Sequence, residues 1–225
     1  MTTTTLDPAD LAEMTLSVAM KVGSAVEHDE AEHSAFMDEL LGGRVNEAGY
    51  IAYLKALRPV YATLETLGRE LTDDPVAAPV IDAGLERLAA IDADLDYWAP
   101  GESHETDSPA ANAYAATIAA SAGWGGLYLA HHYTRYLGDL SGGQAVGAIL
   151  NRAFELDGKG LAFYDFAEIG KNKPYKDVYR EKLDAIGAEL SAEDRLRIIE
   201  EVRKAFLANH TLFAELGRDL DKYRR

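Results

Sequence analysis

Asp139 lies in the segment Tyr133-Thr134-Arg135-Tyr136-Leu137-Gly138-Asp139-Leu140-Ser141-Gly142-Gly143-Gln144, a helical pattern that carries three glycines. Each glycine costs a helix interior about 1 kcal/mol relative to alanine, so an ordinary helix has no reason to hold three. Gly138 and Gly142 fall one turn apart on one face, and Gly143 borders that face. A helix bare on one side, with a single carboxylate at the edge of the bare patch, points to a planar ligand pressed against the main chain. Arg135 and Asp139 are spaced i,i+4 and can pair; on its own that pair reads equally well as a surface ion pair beside a tight helix crossing.

The six histidines are the candidates for a metal. Glu30-Ala31-Glu32-His33 matches the Glu-x-x-His pair of di-iron bundles, but such bundles need two copies and two further glutamates. The chain has one copy, and it has no His-Glu-x-x-His. His131 and His132 are adjacent and point in different directions on a helix. His33, His104, His131, His132 and His210 read as surface groups or hydrogen-bonded structural ones. His28 stands apart because it continues the stripe Leu11, Met14, Val18, Lys21, Ala25, which predicts that it faces inward. Lys21 shares that stripe seven residues earlier, about 10 Å along a helix axis at roughly 1.5 Å per residue. A buried lysine needs an anion unless it snorkels to solvent. A ligand with a central metal and a carboxylate about 10 Å away serves both residues. Haem has that layout, and it would be ligated by His28 and sandwiched between two helices with glycine backbone on its open side.

Composition narrows the rest. The chain has 225 residues, 48% hydrophobic and 27% charged, with a formal net charge of -16. Such an acidic chain is a poor partner for nucleic acid. No cysteine is present, which excludes disulfides, thiolate catalysis and thiolate-ligated haem. The N-terminus reads as polar with no secretory signal. Ser108–Thr134 lacks charged residues but is rich in Ala, Ser and Gly and contains Pro109, so a pair of buried helices is predicted rather than a membrane span. A cytoplasmic protein with no membrane association is expected. Lys171, Lys173, Lys176, Arg180 and Lys182 form a basic cluster suited to an anionic ligand or partner.

The elements that must position these groups are helices nearly throughout, giving an all-α single domain over residues 1–225 with residues 1–9 as a disordered tail. Asp10 caps a first helix that carries the stripe to His28. Ser34–Leu41 forms a short helix ended by Gly42-Gly43. Asn46 caps a long helix through Leu71, in which Pro59 predicts a kink. A helix follows the proline-punctuated segment after Asp74 and runs to about Trp98. Ser108-Pro109 starts the next. Helices then cover about 110–122, 125–153 and 175–186, and Ser191 with Asp194 starts a final one to about residue 221.

With these residues in place, the chain resembles the haem oxygenases of bacterial, soluble type, from about Leu16 to Leu220. The Tyr133–Gln144 segment carries the resemblance most specifically, joined by His28–Met37, Gly160–Phe163, Tyr175–Lys182 and Ala205–Leu212. The resemblance implies a haem-oxygenase-like bundle that cleaves haem b, both substrate and prosthetic group, with O2 and reductant to biliverdin, carbon monoxide and ferrous iron. It implies His28 as the iron ligand and Asp139 as the distal aspartate that organises water. It also implies Lys21, Tyr133, Lys176 and Arg180 at the propionates, and Gly138, Gly142 and Gly143 against the macrocycle. Tyr61, Arg135 and Asn209 match the distal hydrogen-bond network, and Phe206 and Phe213 resemble pocket walls. Ala25 replaces a lysine of some family members. No flavin or nicotinamide motif is visible, so electrons must come from a reductase or ferredoxin partner, for which the Lys171–Lys182 cluster is a docking candidate.

Two other classes compete. A haem carrier or sensor could use the same pocket, though storage needs no distal acid. A helical hydrolase of the thiaminase type needs a nucleophile, usually cysteine, and none is present.

Overall fold

The computed structural model describes residues 8–225. Of the tail expected over residues 1–9, residues 1–7 lie outside them, and Pro8 and Ala9 belong instead to helix α1, Pro8–Glu13. The helices that follow are α2 (Leu16–Gly23), α3 (Ala25–Glu32), α4 (Ala35–Leu41), α5 (Glu47–Glu70), α6 (Leu88–Trp98), α7 (Pro109–Ala120) and α8 (Gly125–His132). Then come α9 (Gln144–Phe154), α10 (Asn172–Glu189), α11 (Ala192–Gly217) and α12 (Leu220–Tyr223). Among the described residues the only β pairing is one isolated bridge, Val45 to Arg224. The all-α class is therefore the observed one. No described helix is long and apolar enough to cross a membrane.

Local chemistry explains most boundaries. Asn46 accepts from the Gly49 amide and Ser108 from the Ala111 amide, so both act as N-caps. Ser191 does the same for Asp194. Helix α6 is capped from another element: the buried carboxylate of Glu65, on α5, accepts from the amides of Arg87 (2.5 Å) and Leu88 (2.8 Å). Two 3-10 turns, Ala78–Val80 and Ala83–Leu85, precede α6 where helix had been expected. Helix α10 starts at Asn172, three residues earlier than the pattern predicts, because Pro174 sits in the first turn, where its missing N–H costs nothing.

The N-terminal expectation needs correction. The stripe from Leu11 to His28 does not lie on one helix. The chain leaves helical geometry at Thr15 and again at Ser24, so the phase of the stripe is not carried through. Leu11 is buried, but Val18, Lys21, Ala25 and His28 are exposed. The faces that α2 buries are instead Leu16, Ala19, Met20 and Gly23. At Gly23 a Cβ would come within 2.6 Å of Ile199, so close packing on α11 fixes the break.

Helix α11 organises the bundle. It packs on α2, α3 and α4 along one side and on α7 and α8 along another. Two apolar clusters form around it, one centred on Tyr50, Leu54, Tyr61 and Phe163, the other on Leu16, Met20, Leu183 and Ile199. Helix α10 closes the remaining side by packing on α2.

Candidate active site

Between α8 and α9 the chain forms two π-helical turns in series, Tyr133–Leu137 and Asp139–Gly143. A continuous α-helix had been expected here. The wider i→i+5 turn is rare and frequently marks a functional site. It coincides with the glycine tract. A Cβ added at Gly138 or Gly142 would meet nothing within 4 Å, and both residues are exposed. Packing within the protein therefore does not demand glycine at either position.

Behind this bare face lies a closed polar network. Asp139 is only 5% exposed. The Tyr61 hydroxyl, from α5, donates to its Oδ2, and Arg135 Nη2 approaches Oδ1 at 3.4 Å. Arg135 also donates to the Tyr61 oxygen from Nε (3.1 Å) and Nη2 (2.9 Å), and from Nη1 to Asn209 Oδ1 (2.5 Å) on α11. Burial pushes the Asp139 carboxyl up to about 6, against the opposing pull of Arg135 and the Tyr61 hydrogen bond. Burial works against the charge of Arg135, but Tyr61 and Asp139 outweigh it and hold the guanidinium protonated. Tyr61 is fixed in turn by ring contacts with Phe163 (5.4 Å) and Tyr136 (5.9 Å). Helix α5 runs unbroken through Pro59, so the proline two residues away does not remove Tyr61 from the site.

The His28 side chain, on α3, is 57% exposed, contrary to the inward orientation expected. Its ring meets the edge of Phe206 from α11 at 5.2 Å, and its Nδ1 lies 3.6 Å from Glu32 one turn on. Lys21 stands exposed on α2. On α10, Lys176 Nζ donates to Ser141 Oγ (2.9 Å), which ties that helix to the glycine segment. Burial followed by the nearby charge of Arg180 lowers the Lys176 ammonium. Burial raises Tyr133 to about 12, while Arg180 opposes the shift. Tyr133, Lys176 and Arg180 thus share one electropositive neighbourhood. Phe213 packs in the core beside Tyr53 at 6.2 Å.

The other histidines have protein partners or lie at the surface. His131 Nε2 pairs with buried Glu201 at 3.1 Å, and His132 Nδ1 with the Tyr179 hydroxyl at 2.7 Å. His104 lies between Asp92 and Asp96, and exposed His33 lies beside Asp29. Among the described residues no three His, Cys, Asp or Glu side chains gather as a metal site. A lone imidazole suits a metal that brings its other donors with it, and a bare backbone face suits a flat macrocycle. The residues present fit haem.

Sequence reasoning passed over Glu32, Ser141 and Gln144. Glu32 had a signal in its i+4 spacing from His28. Ser141 and Gln144 are placed by partners distant in sequence, Lys176 and Tyr164.

Fold and site together define an all-helical protein with an exposed glycine face backed by a buried acid. The family model described as heme oxygenase matches residues 14–215. Heme oxygenase 1 of Homo sapiens is 35% identical over 215 residues, spanning 93% of this chain and 72% of that protein. Heme oxygenase 1 of Nostoc sp. is 35% identical over 211 residues, spanning 92% and 88%. The solved structure of heme oxygenase-1 from the cyanobacterium Synechocystis, in complex with heme, superposes with a TM-score of 0.87 at 31% identity, covering 93% of this chain and 95% of that one. Heme oxygenase from Leptospira interrogans superposes at 0.84 with 31% identity, covering 90% and 100%. The chain belongs to the heme oxygenase family.

Proposed function

We propose that this protein binds haem as substrate and prosthetic group and, with dioxygen and an external reductant, opens the macrocycle to biliverdin, carbon monoxide and ferrous iron. The observation that carries this reading is Asp139, a buried acid clamped by Tyr61 and Arg135 directly behind a backbone face that no side chain covers. A carrier needs the face but not the acid.

Haem, when bound, supplies both the iron that activates dioxygen and the ring carbon that is oxidised. The chain supplies everything else. His28 would offer its imidazole to the iron, and Glu32, 3.6 Å from Nδ1, leaves Nε2 open for that role. A neutral imidazole pushes less electron density onto iron than a thiolate does and favours O–O cleavage less. Gly138 and Gly142 would let the main chain approach the ring and restrict which meso edge is reached, with Gly143, whose missing side chain would face Tyr164, bordering that face. Lys21, Tyr133, Lys176 and Arg180 would hold the propionates and so fix the rotation of the ring. Asp139, with Tyr61, Arg135 and Asn209, would hold an ordered water beside the bare face and could move a proton through it, with no acid placed directly on the reacting atoms.

Electrons come from a separate reductase or ferredoxin. We assign its docking to the basic run Lys171–Lys182, where local positive charge on an acidic chain steers an acidic partner. The reading treats residues 1–225 as one domain and places it in the cytoplasm, in keeping with the cysteine-free sequence.

The test is a single turnover. Haem-loaded protein with oxygen and ascorbate should lose its Soret band while the biliverdin band rises. A Soret band that persists would make the protein a carrier.

A further inference from the structure

The last residue of the glycine segment, Gln144, has no part in the chemistry above, yet its side chain ties the π-helical turn to the segment around Tyr164, beside the ties that Asp139 makes to Tyr61 and Ser141 to Lys176. Its amide nitrogen donates to the main-chain carbonyl of Asp139 (3.3 Å) and to that of Tyr164 (3.0 Å). Both neighbours are carbonyls, so the –NH2 end must face them and both of its hydrogens are used. We propose that Gln144 is a positioning residue: it holds the Asp139–Gly143 turn in its π-helical register and so keeps the Asp139 carboxylate on Tyr61.

The strut is anchored at its far end. Tyr164 ends a 3-10 turn, Ala162–Tyr164, whose Ala162 and Phe163 amides both donate at 2.8 Å to Asp94, a buried carboxylate on α6. The Tyr164 side chain lies along the back of the distal segment. A Cβ at Gly147 would come within 2.9 Å of it, and one at Gly143 would rest 3.7 Å from its ring. Phe163 in the same turn packs on the Tyr61 ring at 5.4 Å. One short turn therefore sets both ends of the Tyr61–Asp139 hydrogen bond. It reaches Tyr61 through Phe163 and Asp139 through Gln144.

The π register needs such a strut. Each π turn holds one residue more than an α turn, and it is rare beside the α-helix that flanks it. If Asp139–Gly143 relaxed to α, residues on one side would rotate by about 100° relative to the other, one residue's worth of a 3.6-residue turn. Asp139 could not stay on Tyr61 while Gly142 kept the exposed face. The two carbonyl contacts of Gln144 oppose that relaxation directly.

The test compares Gln144→Met, which keeps length and removes both donors, with Gln144→Lys, which restores a donor on a stem of similar length. Two readouts are taken. Without haem, hydrogen exchange is measured on peptides covering 138–144. Gln144→Met should exchange there at least tenfold faster than wild type while peptides from α5 and α10 are unchanged, and Gln144→Lys should recover most of the protection. With haem, the pH of the ferric acid–alkaline transition is read by absorbance. Gln144→Met should shift it by half a unit or more at unchanged haem affinity, because the water beside Asp139 is held differently. Wild-type exchange in 138–144 in the Met variant overturns the proposal, as does equal behaviour of Met and Lys. The inference rests on the haem reading only for the second readout. A wild-type protein that failed to take up haem would refute that reading and leave the exchange result to decide on Gln144.

Discussion

Tyr61 and Asp139, 78 residues apart, meet as donor and acceptor in a hydrogen bond buried on all sides, and Arg135 touches both. The bond joins α5 to a π-helical turn and fixes an acid whose proton is held until about pH 6. Because the raised pKa comes from burial, it has a thermodynamic consequence that can be measured without any ligand.

In the folded state Asp139 keeps its proton to about pH 6, whereas in the unfolded chain it releases it near 3.8. Between those values the folded state binds more protons, so stability falls as pH rises, by about 1.4 kcal/mol per unit for this group. Below pH 4 the contribution is fully present; above 6 it is gone. Asp139→Asn should remove this slope and make the protein more stable at pH 7, by about 3 kcal/mol at most. It should keep haem affinity and suppress biliverdin formation. Urea unfolding at pH 4, 5, 6 and 7 checks the first part. Parallel wild-type and Asn curves would contradict the buried-acid account.

His132 has the opposite sign. Burial lowers its pKa to about 3, so it stays neutral beside Tyr179 while the unfolded imidazole protonates near 6.5. Stability should fall as pH drops from 6.5 toward 3, again by about 1.4 kcal/mol per unit. His132→Gln keeps an amide near the Tyr179 hydroxyl and should flatten this acid limb in the same unfolding series. An unchanged acid limb would show that His132 is protonated in the folded state.

Arg135→Met strands Asp139 and Asn209 without their shared donor. Removing one member of a buried pair costs on the order of 3 kcal/mol. Thermal unfolding should show that loss at pH 7 and less of it at pH 5, where Asp139 carries its proton. Arg135→Lys should recover little, because an ammonium cannot make the forked contacts to Tyr61 and Asn209.

Gly142→Ala separates stability from binding. The added methyl meets no atom within 4 Å, so the ligand-free protein should gain up to about 1 kcal/mol from helix propensity. Haem affinity should fall, and it should fall further in Gly142→Leu. A stabilised variant with weaker haem binding means that the glycine serves the ligand. A destabilised variant with unchanged binding means that it serves the fold.

The elements were legible where local chemistry decides them. Asn46, Ser108 and Ser191 announce their helices and cap them through their own side chains. The glycine segment stood out because its cost has no local return, and Gly138 and Gly142 do lie exposed with no protein atom where a side chain would be. What could not be read locally was phase and geometry. The stripe from Leu11 to His28 assumed an unbroken helix, and the breaks at Thr15 and Ser24 depend on packing against α11 that periodicity does not contain. The π turns were hidden for the same reason, since their register is set by groups elsewhere, such as Asp94 and Tyr164. The start of α6 depends on Glu65, more than twenty residues away.

The central claim is that one imidazole, His28, carries a haem against the glycine face, and a titration of wild-type and His28→Ala protein with ferric haem tests it most directly. Wild type should saturate at one haem per chain with a sharp Soret band. His28→Ala should give a shifted, broadened band that added imidazole restores. A His28→Ala spectrum identical to wild type, or a wild-type protein that leaves the haem spectrum unchanged, would contradict the account.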